Sequence, residues 1–402
     1  MQTKNNAPAV GGTAFTILVG LGFCHLLNDT LQSLIPAVYP LIKQSLQLSF
    51  SQIGLITLTF QLSSSILQPV VGFYTDKRPQ PYSLPVGMTF TMTGIILLSL
   101  ANSFPAMLVA VALTGIGSSI FHPEASRLAY MASGGKTGTA QSIFQVGGNI
   151  GGSLGPLLAA LIIAPFGQHY VMWFALIALL AVLVMLKISQ WYKANVYRLR
   201  PQAQLGSQTK KRQTFPRKTI IFSLAILLFL IFSKYVYMAS ITSYYTFYLI
   251  DKFGLSIQNA QLHLFIFLFS IAAGTLVGGP VGDKIGRKYV IWGSILGSAP
   301  FTLMMPYANL FWTTVLSVFI GFILSSAFSA ILVYAQELLP GKVGLIAGLF
   351  FGLAFGIAGI SSALLGNIAD HTSVGYVYHI CSFLPLIGLI TYFLPNLHRV
   401  KN

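Results

Sequence analysis

Apolar residues run nearly unbroken over twelve stretches, separated by short breaks of Gly, Pro, Asn or charge. The stretches are 14–40, 50–73, 83–101, 105–130, 137–164 and 168–192, then 218–250, 257–281, 289–307, 310–336, 343–368 and 374–395. A helix needs about 20 mostly apolar residues to cross a bilayer. Lipid offers no partner for a bare peptide group, so a spanning segment pairs its own backbone as a helix. The pattern therefore predicts an all-α membrane protein with twelve transmembrane helices, six before and six after one polar segment.

That segment, 193–217, holds Lys193, Arg198, Arg200, Lys210, Lys211, Arg212 and Arg217. It is the expected boundary between an N-terminal six-helix bundle (1–192) and a C-terminal one (218–402), with 193–217 as a basic linker. The halves look like copies of each other. Gly72-Phe73-Tyr74-Thr75-Asp76-Lys77 follows span two, and Gly279-Pro280-Val281-Gly282-Asp283-Lys284 follows span eight, with Asp283 lying 207 residues after Asp76. Glu124 and Glu337 each close an even-numbered span, 213 residues apart. Similar offsets in the same order indicate two pseudo-symmetric bundles, an architecture that places substrate at the midplane between them.

Composition supports the bilayer reading. The 402 residues are 55% hydrophobic and 7% charged, against about 25% charged in soluble domains. A net charge of +16 on a soluble chain would suggest nucleic acid. Here the basic residues sit between apolar runs, where they meet lipid headgroups and set topology, and no nucleic-acid partner is expected. Of the 23 Lys and Arg, Lys43 and Lys252 fall in loops after odd-numbered spans, Lys234 lies inside a span, and the remaining 20 lie on the other side. The positive-inside rule then puts the linker and both termini in the cytoplasm. The first apolar run is too long for a cleaved leader and reads as an uncleaved first span.

Cys24 and Cys381 show no metal-ligand spacing, so no metal site is expected. Walker, H-E-x-x-H and G-x-S-x-G signatures are absent, so neither an enzyme nor a nucleotide-driven pump is expected. An ion or solute gradient is left as the energy source, with no cofactor.

Only seven acids are present. Asp29 falls near the middle of span one, and Glu124 near the end of span four. An intramembrane carboxylate is costly when charged and unpaired, and marks a partner or proton chemistry. His25 lies four residues before Asp29, on the same helix face, and imidazole titrates near neutrality. The pair suits proton sharing; a fixed hydrogen bond that locks span one is the alternative. His122, Glu124 and Arg127 form a second cluster around Pro123, read as a proton site or gate, or as an ion pair anchoring the span end. Proton coupling is thus expected from Asp29 and His25, with Glu124 a further candidate.

Lys234 is the one cation near the centre of a span, and it needs an acid or an anionic ligand. The repeat maps Asp29 to position 236, so a Lys234–Asp29 pair that an anion displaces is one expectation, and a permanent clasp the other. His122, Gln61, Gln145, Asn149, Tyr237 and Tyr245 are candidate substrate contacts. The amides of span two (Gln61) and span five (Gln145, Asn149) lie on stripes that suit either solute or a neighbouring helix. Asp76, Lys77, Asp283, Lys284, Arg287, Arg127 and Glu337 are candidate gating residues. An Asp in such a loop caps a helix N-terminus in one conformation and loses it in the other.

Residues 279–288 match the loop signature G-x-x-x-D-[RK]-x-G-[RK]-[RK] throughout, and on them the chain resembles the major facilitator superfamily. The first-half copy departs at Arg78-Pro79-Gln80-Pro81. Gly151-x-x-x-Gly155-Pro156 in span five resembles the antiporter motif of its drug–proton branch. Further stretches resemble a subgroup of bacterial fosmidomycin-resistance transporters. These are His25-Leu26-Leu27-Asn28-Asp29, Phe121-His122-Pro123-Glu124, Ser142 to Asn149, Phe232-Ser233-Lys234-Tyr235 and Tyr334 to Gly341. The resemblance implies a monomeric, multi-pass protein of the bacterial inner membrane that exports small anionic antimicrobials, phosphonates of the fosmidomycin type, against protons. Importers or exchangers of organic phosphates or sugars share that fold, and a non-transporting receptor or a channel are the rivals of other classes.

Overall fold

A computed structural model describes residues 14–133, 137–205, 216–325, 327–339 and 343–396, and within them no strand occurs. Nine helical segments are long and apolar enough to cross a membrane among the described residues. They coincide with predicted spans two to eight, eleven and twelve. The other three predicted spans are helical but interrupted or diluted. The first, Phe15–Ala37, carries His25, Asn28, Asp29 and Gln32 in its middle, which lowers its mean hydropathy. The ninth breaks into Arg287–Ile295 and Ala299–Met304 around a 3-10 turn, with a proline in the first turn of the second piece, where the ring is tolerated. The tenth is split into Leu310–Leu324 and Ala327–Leu338. Through part of the polar segment, the helix Ala175–Leu205 simply continues.

Helix ends follow local chemistry. Ser49 opens Phe50–Lys77 with a capping box: its hydroxyl accepts from Gln52 N–H at 3.1 Å, while the Gln52 side chain accepts from Ser49 N–H at 2.9 Å. Gly254 ends Arg217–Phe253 at φ 65°, a backbone that glycine adopts without a Cβ clash.

Packing repeats between the halves. Span one lies against five as seven lies against eleven, two against four as eight against ten, and three against six as nine against twelve. Between the halves, two packs on eleven and five on eight. Each pairing is carried into its partner by adding six, which is the two-fold relation expected from the repeat. The glycines of span five explain how it reaches span one: a Cβ at Gly147, Gly151 or Gly155 would strike the backbone of Gly22, Leu26 or Ser33. Small residues permit this approach.

Hydrogen bonds between described residues that join the halves cluster at the end bearing the loops after odd-numbered spans. Asp370, ending span eleven, accepts from the backbone N–H of Phe50 and Ser51 at 2.8 Å each, and from the Ser51 hydroxyl at 2.6 Å. A carboxylate on bare N–H groups at a helix N-terminus is a favourable electrostatic contact. Gln261 donates to the carbonyl of Ala37 at 2.8 Å. Deeper, Tyr39, Thr57, Ser243 and Ser362 form a chain of hydroxyls that crosses the boundary.

Candidate functional site

Three titratable groups converge in the first half. His25 Nε2 lies 3.1 Å from Asp29 Oδ2, as their spacing of one helical turn predicts. His122 Nε2, from span four, lies 3.4 Å from the other carboxylate oxygen, Oδ1. Asn28 Nδ2 donates to that same Oδ1 at 3.0 Å. Both rings are fixed from behind. His25 Nδ1 donates to the Phe144 carbonyl at 2.7 Å, and its ring stacks on that of Phe144 with centroids 4.0 Å apart. His122 Nδ1 donates to the Ser118 carbonyl at 3.0 Å. Gly148 makes the room: a Cβ there would lie 2.5 Å from His25 Nε2 and 2.8 Å from Asp29 Oδ2. The side chain of His25 is 4% exposed, His122 17% and Asp29 24%, so the group is sheltered without being sealed. The nitrogens and oxygens of the three groups all lie within 4.8 Å of one another.

The second half holds a buried cation. Lys234 is buried, and its ammonium donates to the Ser325 carbonyl at 3.5 Å. The rings of Tyr235 and Phe328 flank Nζ at 5.8 and 5.9 Å. Among the described residues no carboxylate pairs with it. The expected Lys234–Asp29 pair is thus absent in this conformation, because Asp29 turns toward spans four and five of its own half and is already engaged by two imidazoles. A continuous file of rings links the two sites. Phe328 packs on Phe351 at 4.9 Å, Phe351 on Phe355 at 6.4 Å, and Phe355 on His122 at 6.3 Å.

A match to the Major Facilitator Superfamily model covers residues 21–262 and 227–402. The chain belongs to this superfamily. It is 64% identical over 390 residues to the fosmidomycin resistance protein of Escherichia coli K12, covering 96% of this chain and 95% of that protein. It is 45% identical over 393 residues to an uncharacterized MFS-type transporter of Bacillus subtilis 168, covering 97% and 95%. Among solved structures, a bacterial homologue of the human lysosomal transporter Spinster superposes with a TM-score of 0.73 at 15% identity, over 95% of this chain and 96% of that one. The Escherichia coli xylose transporter matches with a TM-score of 0.73 at 14% identity, over 96% and 100%. The superfamily and these relatives are transporters rather than enzymes, and this is a multi-pass membrane transporter of small solutes.

Other residues singled out from the sequence lie apart from the triad or flank it. Glu124 is buried but faces away from Asp29. Its Oε2 accepts from Arg127 Nη2 at 3.0 Å and from the Ser83 hydroxyl at 3.2 Å, while Arg127 also donates to the Thr75 carbonyl at 2.9 Å and to the Tyr192 hydroxyl at 2.6 Å. This knot ties spans two, three, four and six. Gln61 is half-buried where Gly359 of span eleven approaches: a Cβ on Gly359 would lie 2.8 Å from that of Gln61. Gln145 and Asn149 are half-buried on span five. Tyr237 donates to the Met305 sulfur at 3.7 Å, and Tyr245 packs on Tyr378 at 6.2 Å, both buried in the packing of the second half. Arg287 opens its helix after Gly286, whose φ is 94°. The side chains of Asp76, Lys77, Asp283, Lys284 and Glu337 lie outside the described residues.

Sequence reading missed Gln32, Ser118, Phe355 and Asp370. Gln32 Oε1 accepts from the Ser118 hydroxyl at 3.0 Å, and that hydroxyl lies 3.1 Å from His122 Nδ1. Its helical spacing of three from Asp29 and seven from His25 was the available signal. Nothing in sequence spacing links Asp370 to Phe50 or Phe355 to His122, since these contacts join different halves.

Proposed function

We propose that this transporter exports small anionic antimicrobials, phosphonates of the fosmidomycin type, in exchange for protons. The observation that carries the reading is Lys234, a buried ammonium with no carboxylate partner among the described residues. Such a charge is costly in a membrane interior and calls for an anionic ligand. Phosphonate oxygens accept its hydrogen bonds, and the rings of Tyr235 and Phe328 cover the uncharged remainder of the solute. The high identity to a fosmidomycin resistance protein supports this choice of anion.

Asp29, His25 and His122 would carry protons. Their nitrogens and oxygens already stand at hydrogen-bond reach, and the Asp29 side chain keeps part of its surface exposed. The aromatic file couples the two loads. An anion held at Lys234 presses on Phe328 and Phe351, and that displacement reaches His122 through Phe355. Glu124 and Arg127 fit an anchoring knot better than a proton path. The Lys and Arg distribution supports an inner-membrane orientation with cytoplasmic termini, which puts the Asp370 contact on the far side. The protein would act as a monomer, with the proton gradient as energy source and no cofactor.

The test is drug-stimulated proton movement in vesicles of the purified protein, with fosmidomycin and with an unrelated cationic drug. Proton uptake with fosmidomycin alone supports the reading. Absence of fosmidomycin-driven flux removes the substrate assignment, and flux that ignores the pH gradient removes the exchange mechanism.

A further inference from the structure

Building on that reading, we infer that His25, Asp29 and His122 form a two-proton site, so that each exported anion is exchanged for two protons. The argument is a count of hydrogens. A backbone carbonyl only accepts hydrogen bonds, so the contacts to Phe144 O and Ser118 O fix the hydrogen of each neutral ring on Nδ1. Each Nε2 is then a bare acceptor. Both nevertheless point at Asp29, one toward each oxygen of its carboxylate, at 3.1 and 3.4 Å. With no further proton, three acceptors face one another in a sheltered site, which is repulsive and leaves each Nε2 against an acceptor while Asn28 donates to the carboxylate.

One added proton relieves one of the two contacts. Two protons relieve both, whether they sit on the two nitrogens or on one nitrogen and one carboxylate oxygen. The charge of the group then passes from −1 when empty to +1 when full. Among the described residues, the surrounding elements supply no other charge to share that role. Span five contributes the Phe144 carbonyl and Gly148, span four Phe121 and Ser118, span eleven Phe355, and span one Asn28 and Gln32. Arg127 and Glu124 are engaged with each other, and Lys234 contacts the second half. The geometry is thus complete only when doubly loaded, and because both contacts share one carboxylate the two protons bind in coupled steps that belong to the group rather than to either ring.

The experiment is a reversal-potential measurement in vesicles of the purified wild-type protein. The membrane potential is clamped at zero and a tenfold fosmidomycin gradient is imposed. Two protons per anion balance that gradient at a pH difference of about 0.5, one proton at about 1. We expect balance near 0.5 in the wild type, and near 1 in His25→Gln and in His122→Gln, whose amides carry no titrating proton. Balance near 1 in the wild type overturns the two-proton site and leaves proton exchange standing. Fosmidomycin flux that no pH difference can balance overturns the exchange itself. The wild-type value decides the matter even if a variant does not fold.

Discussion

The imidazole of His122 meets the ring of Phe355 across the boundary between the two halves, with centroids 6.3 Å apart and planes at 60°. On one side of this contact is the Asp29 carboxylate, and on the other a file of phenylalanines that ends at Lys234. Phe355→Ala breaks the file without altering a charged or titrating residue. We expect drug binding and proton binding to persist while their coupling weakens, seen as fosmidomycin-driven proton uptake reduced at unchanged fosmidomycin affinity. Loss of affinity instead would put Phe355 in the binding site itself.

Lys234→Gln removes the anion's counter-charge. A hydrogen bond to a charged group contributes about 1.5–3 kcal/mol, so fosmidomycin binding by the purified protein should weaken by about 10- to 100-fold. Thermal stability should hold or rise, because a buried unpaired charge disfavours the folded state. Unchanged affinity would dismiss Lys234 as the anion site.

Asp29→Asn leaves the shape of span one but takes away the carboxylate that both histidines share. Fosmidomycin binding should remain, and the proton movement it drives in vesicles should vanish. Persistence of that movement at the wild-type rate would shift the proton path to other groups.

Gly148→Ala tests the triad without altering a titrating residue. The added methyl must displace His25 and Asp29, an overpacking that costs about 1–3 kcal/mol. We expect a modest drop in melting temperature and a proton-coupling defect like that of Asp29→Asn. Wild-type coupling would mean that the geometry of the triad is unimportant.

Glu124→Gln separates the two carboxylates by role. Breaking a buried ion pair costs about 3–5 kcal/mol, so detergent-solubilised protein should unfold at a clearly lower temperature. Among molecules that remain folded, the ratio of protons to fosmidomycin should match the wild type. A changed ratio would return Glu124 to the proton path.

Asp370→Asn weakens the cap that span eleven places on span two. Such an exposed cap contributes up to about 1 kcal/mol, so the population with this end parted should rise by about fivefold. Spin labels on Gln44 and Gln258, one in each half at this end, report it as growth of a long-distance component. An unchanged distance distribution would show that the cap does not hold the halves.

Sequence alone determined the class of this protein. Twelve apolar stretches, the near absence of charge within them and the G-x-x-x-D-K repeat fix a two-part helical bundle in lipid, because the bilayer leaves the chain few other ways to satisfy its backbone. The His25–Asp29 contact was equally legible, since helical periodicity alone places residues four apart on one face. The same rule paired Glu124 with Arg127 three residues later. Rotation about each helix axis, and which helix stands opposite, were decided by tertiary structure. Spacing along span four gives no sign that His122 completes the Asp29 site while Glu124, two residues on, turns to Ser83. Nor could the repeat tell that Asp29 and Lys234 are kept apart in this conformation. Those outcomes depend on the glycines of span five, which draw it against span one until Gly148 leaves space for two imidazoles on a single carboxylate. They depend too on span eleven lying across span two, which brings Asp370 to Phe50 and Phe355 to His122 over more than two hundred residues of chain.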